Sequence, residues 1–111
     1  MANPNDFIPL PNLPLHVLLV LAEGDFHGWD IIKRIEEITS GDQSPSSGSL
    51  YLAMSRMEGQ GLIADARAPD DETDARRRYY RLTSLGRRVL AREMERLGGL
   101  VRHARDAGIP G

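Results

Sequence analysis

The chain of 111 residues contains no cysteine. That excludes a disulfide framework, thiolate metal sites and any cysteine nucleophile. Aromatic residues make up only 5% of it, and lysine occurs once, at Lys33, among 14 basic residues. The longest apolar run, Val17 to Ala22, is far too short to span a bilayer. The N-terminal residues lack the basic stretch and cleavage pattern of a secretory signal, so a soluble cytoplasmic protein without a membrane role is expected. The three histidines, His16, His27 and His103, have no metal-ligand spacing. No glycine-rich phosphate loop or nucleophile elbow is present. These absences argue against an enzyme and against a bound metal or cofactor.

What remains is a globular composition, 41% hydrophobic and 27% charged. The length fits one domain with a thin core, of the kind often stabilised by a second copy. The formal net charge of −2 hides an uneven distribution. Residues 1–74 hold 4 basic and 13 acidic groups, whereas residues 75–111 hold 10 basic and 3 acidic groups. Arginine supplies the basic groups of the second segment, and its planar fork suits phosphate or carboxylate. An acidic whole with a basic stripe can still bind DNA, because the local field decides.

Hydrophobic spacing predicts the elements. Residues 1–12 carry three prolines and no periodicity, and read as an irregular arm. A densely apolar first helix follows over Leu13 to Glu23, and Gly24 stands where it would stop. Asp25 caps a second helix from about His27 to Thr39, with Ile31, Ile35 and Ile38 on one face and Ile32 widening it. A third starts within Pro45-Ser46-Ser47-Gly48 and buries Leu50, Met54 and Met57. Leu62 to Arg67 and Arg76 to Leu82 read as a hairpin with a long acidic tip. Thr83 or Ser84 then caps a last helix reaching about Arg105. The expected class is therefore mainly α with a small β-hairpin: a winged helix-turn-helix domain over 13–83, followed by a helix and tail over 84–111.

Four segments resemble the PadR family of transcriptional regulators. Leu21-Ala22-Glu23-Gly24 with His27-Gly28-Trp29 and Ile32 is similar to that family's LxxGxxHGYxI opening. Ser44-Pro45-Ser46-Ser47-Gly48-Ser49-Leu50-Tyr51 resembles its entry into the recognition helix. Arg56-Met57-Glu58 and Gly61-Leu62-Ile63 match its RLE and GLI elements, and Arg78-Tyr79-Tyr80-Arg81-Leu82-Thr83 with Gly86 matches KYYxLTxxG. The likeness covers about residues 18–90. Trp29 departs from the usual tyrosine, Ser47 and Leu52 replace common prolines, and the wing tip Asp70-Asp71-Glu72-Thr73-Asp74 is unusually acidic for a minor-groove probe. The resemblance implies a dimeric, DNA-binding regulator, most often a repressor, with a small aromatic or hydrophobic effector as partner.

Candidate DNA-contacting residues follow from the element boundaries. Ser46, Ser47 and Ser49 would offer hydroxyls beside the free N–H groups of a helix N-terminus, and Gly48 would let a backbone approach. The resemblance adds Tyr51 as a DNA contact. On the outward face of the third helix, Arg56 is the basic side chain available for guanine or phosphate, its bland alternative being a salt bridge to a nearby acid. Leu52 faces a thymine methyl or solvent. Arg76, Arg77 and Arg78 would meet phosphates from a strand, Arg76 and Arg78 on one face and Arg77 on the other. Leu90, Met94, Leu97, Val101 and Ala104 recur in a 4,3 pattern that predicts a dimer seam, with the first helix contributing. Gly98-Gly99 interrupts it, which suggests a bend or a close helix crossing. The lone Trp29 reads as core. A rival reading is a winged-helix protein-interaction module, or a ligand sensor, without significant DNA binding, and steep salt dependence of DNA affinity separates them.

Overall fold

A computed structural model describes residues 2–111. The arm is not irregular throughout. A short 3-10 helix runs from Pro4 to Phe7, and Leu10 behind it is buried in the core. The arm is held because its apolar residues Phe7 and Ile8 pack on that core. The backbone N–H of Leu10 also donates to the buried carboxylate of Glu93 at 2.7 Å. Prolines therefore shape this segment without freeing it.

Helix α1 spans Asn12–Leu21 and buries Val17, Leu18, Val20 and Leu21. A two-residue strand, β1 (Phe26–His27), follows, and helix α2 spans Gly28–Ile38. His27 caps α2 in place of Asp25, its Nδ1 accepting from the Asp30 N–H at 3.4 Å. Ile31, Ile32 and Ile35 are buried, whereas Ile38, at the frayed end of the stripe, is exposed. Helix α3 spans Ser47–Gly59 and inserts Leu50, Met54 and Met57 into the same core. Strands β2 (Ile63–Ala66) and β3 (Tyr79–Leu82) form the hairpin, and α4 runs without a break from Ser84 to Asp106, through Gly98-Gly99.

The sheet has the order β1–β3–β2, antiparallel throughout, with Tyr79 opposite both His27 and Ala66. A free hairpin would be marginal; this one is anchored by the third strand and by Tyr80, which is buried with Ile63 in the core. Thr83 ties the hairpin to α4, its hydroxyl donating to the Gly61 carbonyl at 2.6 Å and accepting from the Gly86 N–H at 3.0 Å. At Gly86 the helix passes so close to the hairpin that a Cβ would lie 2.1 Å from the Leu62 carbonyl oxygen. Only glycine permits that contact. Three helices, a three-stranded wing sheet and a long following helix make an α+β winged helix-turn-helix fold. None of the helices among the described residues is long and apolar enough to cross a membrane.

Candidate nucleic-acid interface

The N-terminus of α3 is open to solvent. Ser46, Ser47, Gly48 and Ser49 are all exposed. The Ser46 hydroxyl is the cap, accepting from the Ser49 N–H at 3.1 Å, and it lies 3.0 Å from the Ser49 hydroxyl. Capping and outward presentation thus coexist at one residue. Nothing lies within 4 Å of a Cβ built on Gly48, so packing within the domain does not demand glycine there. Leu52 is 67% exposed, and Arg56 is exposed one turn further on. Among the described residues Arg56 takes part in none of the ion pairs, which leaves its guanidinium free for an outside acceptor.

Tyr51 lies on the flank of α3 against the start of α2. A Cβ at Gly28 would meet the Tyr51 hydroxyl at 2.7 Å, so glycine at this position lets the phenol lie across the α2 N-terminus. Trp29 beside it is 57% exposed, with the Lys33 ammonium 5.4 Å from its ring centre. The expectation of a core tryptophan is therefore corrected: on α2 the inward face belongs to isoleucines, and residue 29 points away from them. Gly28, Trp29, Tyr51 and Tyr80 line a cleft of about 540 Å³ together with Arg76, Arg77 and Arg78. Trp29 is the residue of this surface that sequence reasoning placed in the core. Its place in the HGY-like segment was the available signal.

The three arginines do not sit on a strand. The ladder begins at Tyr79, and Arg76 to Arg78 belong to the preceding loop. Asp74 captures that loop, its side chain accepting from the Arg76 N–H at 2.9 Å and its carbonyl from the Arg77 N–H at 3.1 Å. The alternation of faces expected for a strand therefore fails, and all three guanidinium groups find carboxylates instead. Arg76 forks onto Asp74 at 3.2 and 3.4 Å. Arg77 reaches Glu72 at 3.4 Å. Arg78 bridges Asp65 on β2 and Glu58 on α3, the latter at 2.6 Å, and lies over the Tyr80 ring.

Glu72 organises the tip. It accepts from the Tyr79 hydroxyl at 2.6 Å and from the Asp74 N–H at 3.0 Å, besides Arg77. The Tyr79 hydrogen bond, then the Asp74 amide, hold its carboxyl down at about 2. The same bond pushes the Tyr79 hydroxyl up to about 12. Asp74 and Asp65 are lowered chiefly by their hydrogen bonds to Arg76 and Arg78 respectively. The acidic tip is thus partly turned inward, onto its own arginines.

On α4 the predicted seam divides. Leu90 is only 7% exposed and belongs to the core of its own chain, so it is removed from the free surface. The reason is that the first turns of α4 lie against the hairpin and α1. Met94 and Val101 are exposed, Leu97 and Ala104 half-buried, and Leu100, which the 4,3 pattern omits, is 55% exposed. The Arg102 guanidinium lies along Gly98-Gly99, within 3.6 Å of a Cβ built at Gly98.

A winged helix with an exposed, serine-capped third helix and an arginine-bearing wing defines the class of helix-turn-helix regulators. The profile of the transcriptional regulator PadR-like family matches residues 17–92, and the chain belongs to that family. Its members regulate transcription and are not enzymes. The chain is 39% identical over 51 residues to the transcriptional regulator YqjI of Escherichia coli, covering 46% of this chain and 25% of that protein. It spans about a quarter of the length of the curated relatives it matches first. Its fold is similar to that of a PadR family regulator from Clostridium difficile, with a TM-score of 0.74, 24% identity and 86% and 97% of the two chains covered. It is also similar to Bacillus subtilis PadR in complex with operator DNA, with a TM-score of 0.65, 23% identity and coverage of 78% and 48%.

Proposed function

We propose that the chain is a sequence-specific DNA-binding regulator that acts as a homodimer and, most simply, represses by occupying an operator. The observation carrying this reading is the solvent-facing surface of α3, where Ser46, Ser47, Gly48, Ser49, Leu52 and an unpaired Arg56 lie together. In this reading two copies place their α3 helices in successive major grooves of a pseudo-palindromic site. Serine hydroxyls, Tyr51, Trp29 and the arginines of the wing take phosphates, while Arg56 and Leu52 read base edges. The unpartnered apolar surface of α4 at Met94, Leu97, Leu100 and Val101 supports pairing of copies through that helix. A small aromatic or hydrophobic effector completes the proposal. A cavity of about 390 Å³ between the arm and α3, lined by Phe7, Pro14, Leu52 and Arg56 among others, is where such a molecule would reach the DNA-facing surface.

One observation favours the interaction-module reading: Arg76, Arg77 and Arg78 are each neutralised within the chain. Fluorescence anisotropy against DNA from upstream of the chain's own gene, at two salt concentrations, decides between them. Tight binding that outcompetes random duplex and weakens steeply with salt is expected. A result with no binding to that DNA or to any sequence from a genome-wide selection replaces the regulator reading with the interaction module.

A further inference from the structure

The wing presents a conflict between its composition and its geometry. Three consecutive arginines stand beside the α2 N-terminus and Tyr51, where a polyanion would be welcome. Yet Glu58, Asp65, Glu72 and Asp74 already hold them, so four carboxylates face three guanidinium groups. A carboxylate and a phosphate oxygen pair make the same demand on an arginine fork. The two ligands therefore compete for the same donors.

Two of the three arginines are also held by pairs that can be opened. The Arg76 and Arg78 side chains are 92% and 52% exposed and their carboxylates are partly exposed, whereas Arg77 rests on Glu72, whose side chain is only 7% exposed. Pairs between solvent-exposed groups are individually weak, because water and salt screen them. A bracing pair is built differently here: Glu93 is fully buried beneath Arg96 and also holds the Leu10 amide. Arg77–Glu72 is built more like the brace, whereas the pairs of Arg76 and Arg78 have the exposure of replaceable contacts. One of them, through Glu58, reaches the end of α3, so the state of Arg78 is shared between the wing and the helix that would read DNA.

We infer that Glu58, Asp65 and Asp74 are built-in competitors for phosphate, and that DNA engages the wing by exchanging its backbone phosphates for these carboxylates on Arg76 and Arg78. This rests on the DNA-binding reading above. The carboxylates then set the affinity and hold back nonspecific binding: a site must supply enough contacts through α3 to make the exchange favourable. Each exchange releases cations condensed on DNA but exposes a carboxylate that attracts cations again, so the salt dependence is shallower than two free arginines would give.

The test measures anisotropy of the full chain on a selected site and on random duplex across a salt series. Glu58→Gln with Asp65→Asn frees Arg78. It is expected to raise affinity for random duplex by on the order of fivefold or more and to steepen the salt dependence. Adding Arg78→Ala should cancel the gain. Asp74→Asn frees Arg76 on the loop without touching the core and should give a smaller gain of the same kind. Asp71→Asn removes an equal charge from a wing-tip residue that is not paired with an arginine among the described residues, and should change affinity less than about twofold. An equal gain from Asp71→Asn overturns the inference in favour of a bulk-charge effect. Unchanged or weaker binding by Glu58→Gln/Asp65→Asn and by Asp74→Asn, with melting curves showing folded protein, overturns it in favour of structural braces. In both cases the wild-type chain still binds DNA. Failure of every form, wild type included, to bind any duplex instead removes the DNA-binding reading on which the inference stands.

Discussion

The root of α4 and the outer surface formed by α3 and the wing use the same residue types for opposite ends. Each has a glycine in a helix. At Gly86 a Cβ would strike the Leu62 carbonyl, whereas at Gly48 it would meet nothing. Each has arginine–carboxylate pairs. Glu93 is sealed from solvent under Arg96 and holds the arm through Leu10, whereas the wing pairs of Arg76 and Arg78 are open to it. Burial makes the difference: where water is excluded, a lost partner leaves an unsatisfied group, and where water enters, it takes the partner's place. The inner region is fixed by packing, and the outer one is left free to meet something else.

The sharpest way to break this comparison is at the glycines. Gly86→Ala drives a methyl into a backbone oxygen that belongs to the hairpin, and should destabilise the chain by roughly 3 kcal/mol or more. Thermal or urea unfolding reads the loss. Gly48→Ala should leave stability intact or slightly improved, since alanine is the better helix former, while lowering DNA affinity through loss of close approach. Equal effects of the two substitutions on stability would erase the distinction between the regions. Next in size is Glu93→Ala, which strands the Leu10 amide and the Arg96 guanidinium and should cost roughly 1.5–3 kcal/mol. Limited proteolysis should then release the arm before the domain unfolds. The Glu93 carboxyl lies below its ordinary 4.5, chiefly because of Arg96. Its contribution is therefore present above that pH and lost as pH falls beneath it.

The same division explains what the sequence made legible. The helices of the core announce themselves by spacing, as in Ile31–Ile35 or Leu50–Met54–Met57, because burial enforces a period. Ser46 and Thr83 mark helix starts because capping chemistry is local. Strand β1 is two residues long and has no period to detect. The arm escaped notice because its anchor, Glu93, lies 83 residues away from Leu10. Arg76 to Arg78 read as a strand because the wing tip was scored for charge and not for the hydrogen bonds Glu72 and Asp74 make with it. Leu90 fits a heptad seam and a domain core equally well, and only the position of the hairpin decides. The outward face of α3 was legible in the sequence, whereas orientation was misread where long-range partners decide it, at Trp29 and the wing.

At the outer surface, effects should appear in binding and not in folding. Arg56→Ala should cost about 1–3 kcal/mol at the selected site if the side chain reads a base, with an unchanged melting curve. A loss equal on all sequences would make it a phosphate contact, and no loss would remove it from the interface. Leu97→Glu tests the α4 surface in the same spirit: sedimentation should report monomers with a folded winged domain, and an unchanged dimer would place the interface elsewhere.

The smallest expected effect is the most specific to the wing. Tyr79 donates to Glu72, and this bond is the leading cause both of the carboxyl lying at about 2 and of the hydroxyl lying at about 12. A depressed carboxyl stabilises the fold above its ordinary 4.5, and that contribution fades as pH falls from there toward about 2. A raised hydroxyl stabilises below its ordinary 10.0, and the contribution fades as pH climbs toward about 12. Tyr79→Phe keeps the ring against His27 while deleting the bond. Its melting temperature should therefore fall below that of the wild type across the middle of the pH range and converge with it at the alkaline end. At the acidic end the two should also draw together as Glu72 takes up its proton, since the contacts from Asp74 and Arg77 are common to both. A constant offset at every pH would mean that the hydroxyl contributes packing alone. The wing tip would then be shaped by Asp74 and the arginines without help from the sheet.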